Sequence, residues 1–288
     1  MLDSISNIDG VFDSLHHLLL IVEHGTFTEA ARHAHLTQPA LSASIKRLEE
    51  QLGGRLLHRG PGGATLTAAG EALLPRAQAA LAAVDDGRRA VAEVLELHAG
   101  EVRLGAGPTA ATYLLPATLA RFRAAHPGVR VYLREAHSPA VWEALRGGEL
   151  DLGIVSSGTP ALGEPWVVAE PWRADELVVA SAPGDPVPDA WVCFPRGSML
   201  RAHLEEVVDH PDVVMELGSI AAVKGNVRAG IGRCLISRAA IGRDLEGGQM
   251  ALVPAAGTPL RRTMMLVHRG VERLPPAAAR LRELLLEG

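Results

Sequence analysis

The stretch FTEAARHAHLTQPALSASIKRLEEQLG, from Phe27 to Gly53, constrains this chain more than any other. It reads as two short helices joined by a tight turn. Before it, Leu15, Leu18, Leu19 and Val22 recur at helical spacing, which predicts a first helix over Asp13–His24 with Gly25 as its stop. Thr26 and Glu29 have the spacing of a capping box for the second helix, whose Ala30, Ala31 and Ala34 leave room for close packing. Leu36 is expected to fill the turn. Thr37 can cap a third helix that tolerates Pro39, because first-turn amides lack helical partners anyway. Leu41, Ile45, Leu48 and Leu52 predict its buried stripe, and Gln38, Ser42, Lys46 and Arg47 its outer face. By composition alone, such a pair is either a plain helical hairpin or a DNA reader with its second helix in the major groove.

Charge helps decide. The 288-residue chain carries a formal net charge of −5, yet Ala31–Arg59 holds five bases (Arg32, Lys46, Arg47, Arg55, Arg59) against two acids (Glu49, Glu50), a local basic patch sufficient for phosphate contacts. The order of motifs is more specific. GTFTEAARHAHLTQPALSASIKRLEEQLGGRLLHR resembles the winged helix-turn-helix of LysR-type transcriptional regulators, matching G-S/T-F-T-x-A-A, Q-P-A-L-S and I-x-x-L-E-x-x-L-G-x-x-L-F-x-R almost throughout. The resemblance implies that Thr28 meets the DNA backbone, that Gln38, Pro39 and Ser42 face the groove, and that Lys46, Arg47 and Arg59 lie on the DNA-binding side with the arginines near phosphates. Two departures stand out: Ala43 replaces a frequent arginine, and the wing sequence GPGGATLT carries no charge. Weaker phosphate attraction is expected from both.

From Thr67 a further helix is predicted, with Glu71 in its first turn and heptad-like positions at Leu74, Leu81, Arg88 and Leu95 and at Ala77, Val84, Val91 and His98, which form a largely apolar seam. Asp85, Asp86, Gly87 and Arg88 interrupt the seam, so the competing reading is an amphipathic helix lying on its own domain. About 30 residues would span roughly 45 Å, a length suited to separating two modules and pairing two chains. The family uses this helix for dimerisation. The resemblance therefore implies a homodimer, and beyond it a homotetramer, on a pseudo-palindromic operator in double-stranded DNA.

After Gly100 short apolar strands alternate with helices. Strands are predicted at Val102–Ala106, Val129–Arg134 and Leu152–Val155, with helices at Tyr113–Ala125 and Val141–Arg146, which is βαβαβ and a mostly parallel sheet. Further strands fall at Glu176–Ser181, Trp191–Phe194, Val213–Glu216, Arg233–Ser237 and Thr263–His268, and further helices near Met199–Val208, Ile220–Ala229 and Pro275–Glu287. LLPATLARFRAAHPGVRVYLREAHSPAVWEALRGGELDLGIV and GSIAAVKGNVRAGIGRCLISRAAI resemble the LysR effector domain, implying the fold of periplasmic binding proteins. The expected fold is α plus α/β: a winged helix-turn-helix over 1–70, a linker helix over 71–99 and a two-lobed effector domain over 100–288, with lobe 1 at about 100–162 plus 269–288 and lobe 2 at about 163–268.

Ligands of open α/β sheets bind beyond the carboxyl ends of the strands. The residues expected there are Thr109 and Thr112, His137 and Ser138, Ser156, Ser198 and Ser219, a set of hydroxyls suited to a small polar or anionic effector. For each alone, an ordinary cap or turn role is the competing reading. Trp142, Trp166, Trp172 and Trp191 all fall in this half, so effector binding is expected to alter tryptophan emission. No catalytic constellation, cofactor or metal motif is read; HExxH, GxSxG and a phosphate-binding P-loop are absent from the sequence, and GIGRCL at Gly230 lacks the last glycine of a nucleotide fingerprint. Cys193 and Cys234 read as buried structural thiols, and Lys224 as a solvated helix position with effector pairing as the alternative. The acidic N-terminus without a small-residue cleavage site, and apolar runs shorter than a bilayer span, predict a cytoplasmic protein with no membrane partner. A solute-binding protein or α/β enzyme with a helical appendage, and a constitutive DNA binder with a vestigial cleft, are the competing functions.

Overall fold

A computed structural model describes residues 8–60, 63–94 and 100–287. The chain forms two compact units, one within Met1–Val91 and Arg146–Glu149 and one within Ala92–Leu145 and Leu150–Gly288.

The first unit begins with α1 (Ile8–His24), five residues longer at its start than the sequence spacing predicts. Next come α2 (Phe27–His33) and α3 (Gln38–Leu52). Thr26 Oγ1 accepts the Glu29 amide at 3.2 Å and Thr37 Oγ1 the Ala40 amide at 3.4 Å, so both threonines cap as expected; of the capping box only this half forms, the Glu29 carboxylate taking Arg32 Nη2 at 2.7 Å instead. Leu41, Ile45 and Leu48 join Leu15, Leu18, Ile21, Ala30 and Ala31 in one core. Leu52 does not. Gly53 adopts φ +71 directly after it, the left-handed stop that turns the chain away, and Leu52 stays 52% exposed. Leu36 likewise does not fill its turn, remaining 39% exposed behind His35 at φ +55.

The wing is an antiparallel hairpin of β1 (Leu57–Gly60) and β2 (Gly63–Leu66). Glu49 Oε1 accepts the amides of Leu56 and Leu57 at 2.8 and 3.3 Å, tying α3 to the hairpin's entry. α4 (Ala68–Val94) follows, with Thr67 Oγ1 donating to Arg55 O and accepting the Gly70 amide. At Gly70 a Cβ would collide with the carbonyl oxygen of Leu56, so only glycine permits this close seating. Ala77 is fully inside the first unit's core, with Leu73 and Leu81 packed against it. The early turns of α4 therefore lie on their own domain, while Val91 stays 59% exposed; Leu95 and His98 of the expected seam lie outside the described residues.

The second unit contains β3 (Glu101–Ala106), a π-helical turn at Ala110–Leu114, α5 (Pro116–Ala125), β4 (Arg130–Glu135), α6 (Ser138–Arg146), β5 (Leu152–Ser156) and β6 (Val168–Ser181). It continues with β7 (Ala190–Cys193), α7 (Met199–Val207), β8 (Asp212–Glu216), α8 (Ile220–Arg228), β9 (Cys234–Ser237), α9 (Arg238–Glu246), β10 (Ala251–Leu252), β11 (Leu260–His268) and α10 (Pro276–Leu286). The main sheet runs β10-β6-β11-β5-β3-β4, with β9 also on β6. It is mixed rather than mostly parallel. β3 lies parallel to β4 and β5, but β11 is antiparallel to β5 and β6, and β6 is antiparallel to β9 and β10. The departure arises in β6, whose polar first half, with Pro171, reads as loop in sequence. Pro171 pairs with Met265 directly beside the register slip between Met264 and Met265, a bulge of the kind at which proline is tolerated in a strand.

Each lobe has apolar packing on two faces. Alternate residues of β3 and β5 (Leu104, Ile154) meet Phe122 and Leu281, while Val155 and Val267 point the other way onto Val141 and Leu145. In the second lobe Val178 and Ile236 face Val223 and Ile241, and Val179 and Leu235 face Leu204 and Trp191. β6 and β11 serve both lobes.

Candidate functional site

Two surfaces hold the candidate residues. On the first unit, Gln38, Pro39, Lys46 and Arg47 are exposed along α3, Ser42 is half-buried, and Thr28 is exposed on α2. The helix is seated by a buried polar chain. Ser14 Oγ donates to Gly10 O at 2.8 Å, so the 2.8 Å contact between Ser14 and Ser44 is donated by Ser44, whose oxygen then accepts from His17 Nδ1 at 2.8 Å. Burial lowers the His17 pKa, with the Asp13 charge opposing it. The wing strand adds Arg59, which donates to Ser42 Oγ at 2.8 Å and lies 4.4 Å from the Phe27 ring centroid. This contact links wing to α3 and was not foreseen in sequence, where Arg59 is read only as a phosphate contact. Of the local bases, Arg32 pairs with Glu29 and Lys46 with Glu50, both exposed; Arg47 and Arg55 are exposed too.

In the second unit a cleft of about 330 Å³ opens at the carboxyl ends of β3 and β5. Thr109, His137, Ser138, Ser156 and Ser198 of the expected residues line it. Thr112 and Ser219 do not: Thr112 is exposed on the π-helical turn, and Ser219 Oγ caps α8 by accepting the Ala222 amide while its neighbours Gly218 and Ile220 line the cavity. The sequence reading missed Arg262. Its Nε and Nη2 stand 2.8 and 2.7 Å from Asp175 Oδ2, and Nη2 is 3.4 Å from Thr109 Oγ1. Ser237 donates to the other Asp175 oxygen at 2.6 Å. The ion pair is almost wholly buried, with side chains 8% and 2% exposed.

None of the four tryptophans lines the cleft. Trp142 and Trp166 instead pack against each other at 5.0 Å, so an emission change would not report direct contact with a ligand in the cleft. Lys224 is neither solvated nor at the cleft: its Nζ binds Asp244 Oδ2 and Ala240 O, both at 2.6 Å. Both cysteines are buried. Burial pushes the Cys193 thiol up despite the Arg201 guanidinium 2.9 Å from Sγ, and full burial pushes Cys234 up to about 12. Among the described residues no group of side chains could hold a metal, and no helix is long and apolar enough to cross a membrane.

Residues 12–71 match the family model for the bacterial regulatory helix-turn-helix protein of the lysR family, and residues 96–288 match the LysR substrate binding domain. The HTH-type transcriptional regulator CfxR of Cupriavidus necator is 32% identical over 283 residues, covering 93% of this chain and 88% of its own. Among solved structures, full-length LysG of Corynebacterium glutamicum with bound effector Arg superposes at TM-score 0.67 and 19% identity, covering 95% of this chain and 96% of LysG. DarR of Vibrio fischeri in complex with DNA superposes at TM-score 0.59 and 19% identity, covering 96% and 98%. These two likenesses are of fold.

Proposed function

Because this chain belongs to the LysR family of transcriptional regulators, we propose that it binds a pseudo-palindromic operator through α3 and the wing, and that a small polar or anionic metabolite in the cleft sets its activity. It works by binding, without catalysis. The observation that supports this reading most is the union in one chain of an exposed Gln38–Arg47 helix face and a cleft lined by hydroxyls from both lobes. Gln38, Pro39 and Ser42 meet base edges, Thr28, Lys46, Arg47 and Arg59 serve the backbone, and Thr109, His137, Ser138, Ser156 and Ser198 hold the effector. The functional bounds are 1–70 for DNA binding, 71–99 for the linker and 100–288 for effector binding. Two chains pair along the later turns of α4, and two such dimers form the tetramer. Such a regulator reads chromosomal DNA and so acts in the cytoplasm.

Footprinting on the DNA upstream of its own coding region tests this directly. Two protected half-sites on one face of the duplex, with a spacing altered by a ligand that also raises the melting temperature, are expected. Protection that is sequence-independent, or unaltered by every ligand that binds, would overturn the reading.

A further inference from the structure

The cleft's chemistry also narrows what can enter it. Its walls are mostly apolar, built from side chains that include Ile154, Phe194, Met199, Leu200, Ile220 and Met264. Lysine, aspartate and glutamate are absent from the lining among the described residues, and Arg262 is the one arginine there. That arginine is not a spare charge, since Asp175 Oδ2 already takes both Nε and Nη2, and the pair is buried. Its Nη1 has no hydrogen-bond partner among the described residues. A charge moved into an apolar cavity must be matched there or it stays in water. A phosphate group carrying about two charges would meet, besides the exposed His137 imidazole at the rim, one guanidinium whose charge Asp175 already balances, and a carboxylate, carrying one charge, makes the smaller demand. Thr109 and Ser156, both buried, supply hydroxyls at the same wall.

We infer that the cleft takes a compact, largely apolar ligand bearing a single carboxylate, and that it excludes phosphorylated and other polyanionic metabolites. This rests on the proposed effector role of the cleft. The carboxylate meets Arg262 Nη1 and the hydroxyls, while the apolar body lies on Phe194, Met199 and Met264. Asp175 then acts as a selectivity element, a positioning residue that sets the charge the cleft tolerates without touching the ligand.

The test titrates the full-length protein calorimetrically with benzoate, 3-methylbutanoate, benzamide, glucose 6-phosphate and inorganic pyrophosphate. Benzoate or 3-methylbutanoate should bind, benzamide more weakly than benzoate, and the two phosphates not at all. Ala202→Trp fills the cleft from its exposed rim and should abolish the carboxylate heat. Asp175→Asn should tighten carboxylate binding about tenfold, equivalent to about 1.4 kcal/mol, and admit glucose 6-phosphate. If that variant fails to fold, the wild-type panel with Ala202→Trp carries the test. Phosphate binding to the wild type that Ala202→Trp removes overturns the ligand class and leaves the cleft as effector site. Carboxylate binding that survives Ala202→Trp overturns the cleft reading itself, and no wild-type response to either carboxylate at millimolar concentration overturns the class.

Discussion

Replacing Arg59 by alanine separates two jobs that this side chain can perform. In the DNA-free protein it is exposed, donates to Ser42 Oγ at 2.8 Å and stacks on Phe27, so its loss should cost folding stability less than about 1 kcal/mol. On DNA, one lost phosphate contact lowers the slope of log K against log salt by about 0.9. Between 50 and 200 mM salt that changes the affinity ratio about 3.5-fold, easily resolved by fluorescence anisotropy. Arg59→Ala should therefore weaken operator and scrambled DNA alike at low salt, and the two proteins should converge as salt rises. The Ser42 contact adds a second effect. An arginine donor occupies a lone pair of the Ser42 oxygen and leaves its hydrogen for an acceptor on a base edge, so releasing it should cost a further part of operator discrimination. Arg59→Lys keeps the charge without the planar fork and should restore the salt slope but not the discrimination. An unchanged slope in Arg59→Ala, with loss confined to the operator, would refute the phosphate role and leave only the hold on Ser42.

Gln38→Ala should reduce discrimination between operator and scrambled DNA by about 1–3 kcal/mol with the salt slope intact; equal losses on both duplexes in the same anisotropy assay would exclude base reading. Gly70→Ala should destabilise the first unit by about 2 kcal/mol or more, despite alanine's better helix propensity, because the added methyl meets the Leu56 carbonyl; urea melts read this, and a stabilised protein would contradict the close seating. Burial raises the Glu170 carboxyl, but hydrogen bonds from Arg282 and His268 and their charges outweigh it and hold the group below the ordinary carboxylate value. Its contribution is thus complete above that value and lost as pH falls through the lower folded value, so Glu170→Gln should flatten melting temperature against pH in the acid range; parallel curves would count against it. Both thiols, raised by burial, should react with a maleimide only at the rate of unfolding, and rapid labelling of the native protein would show one of them to be reactive.

The reading head was legible because helix periodicity, caps and a stop glycine are local signals, each written within a few residues of the structure it produces. Thr26, Thr37 and Gly53 act in the folded chain as their sequence neighbours require. The first half of β6 was not legible, since Pro171 and the charged residues around it resemble a loop until β11 supplies a bulged partner from far along the chain. α9 was missed for a related reason: it follows β9 without a connecting loop, and Gly242 weakens its pattern. At the cleft, hydroxyls next to strand ends could be anticipated from the rule for open sheets, yet Ser219 turned out to serve its own helix. Arg262 could not be anticipated at all. Its partner Asp175 is 87 residues away, and neither lies in a motif, so only the pairing of β6 with β11 brings them together.

The same two strands limit how the effector domain can respond mechanically. β6 and β11 are laddered to each other from Leu177–Leu260 to Val168–His268, and both lobes are built onto them. Sliding one strand past the other by a single residue would turn every side chain to the opposite face, burying charge and exposing the core, so shear is stiff. Flexure and torsion keep the ladder intact, and the bulge between Met264 and Met265 is the point of least stiffness. The domain behaves as a leaf spring rather than a drawer: its soft coordinate is an angle, and under the proposed function a ligand in the cleft does its work against that angle.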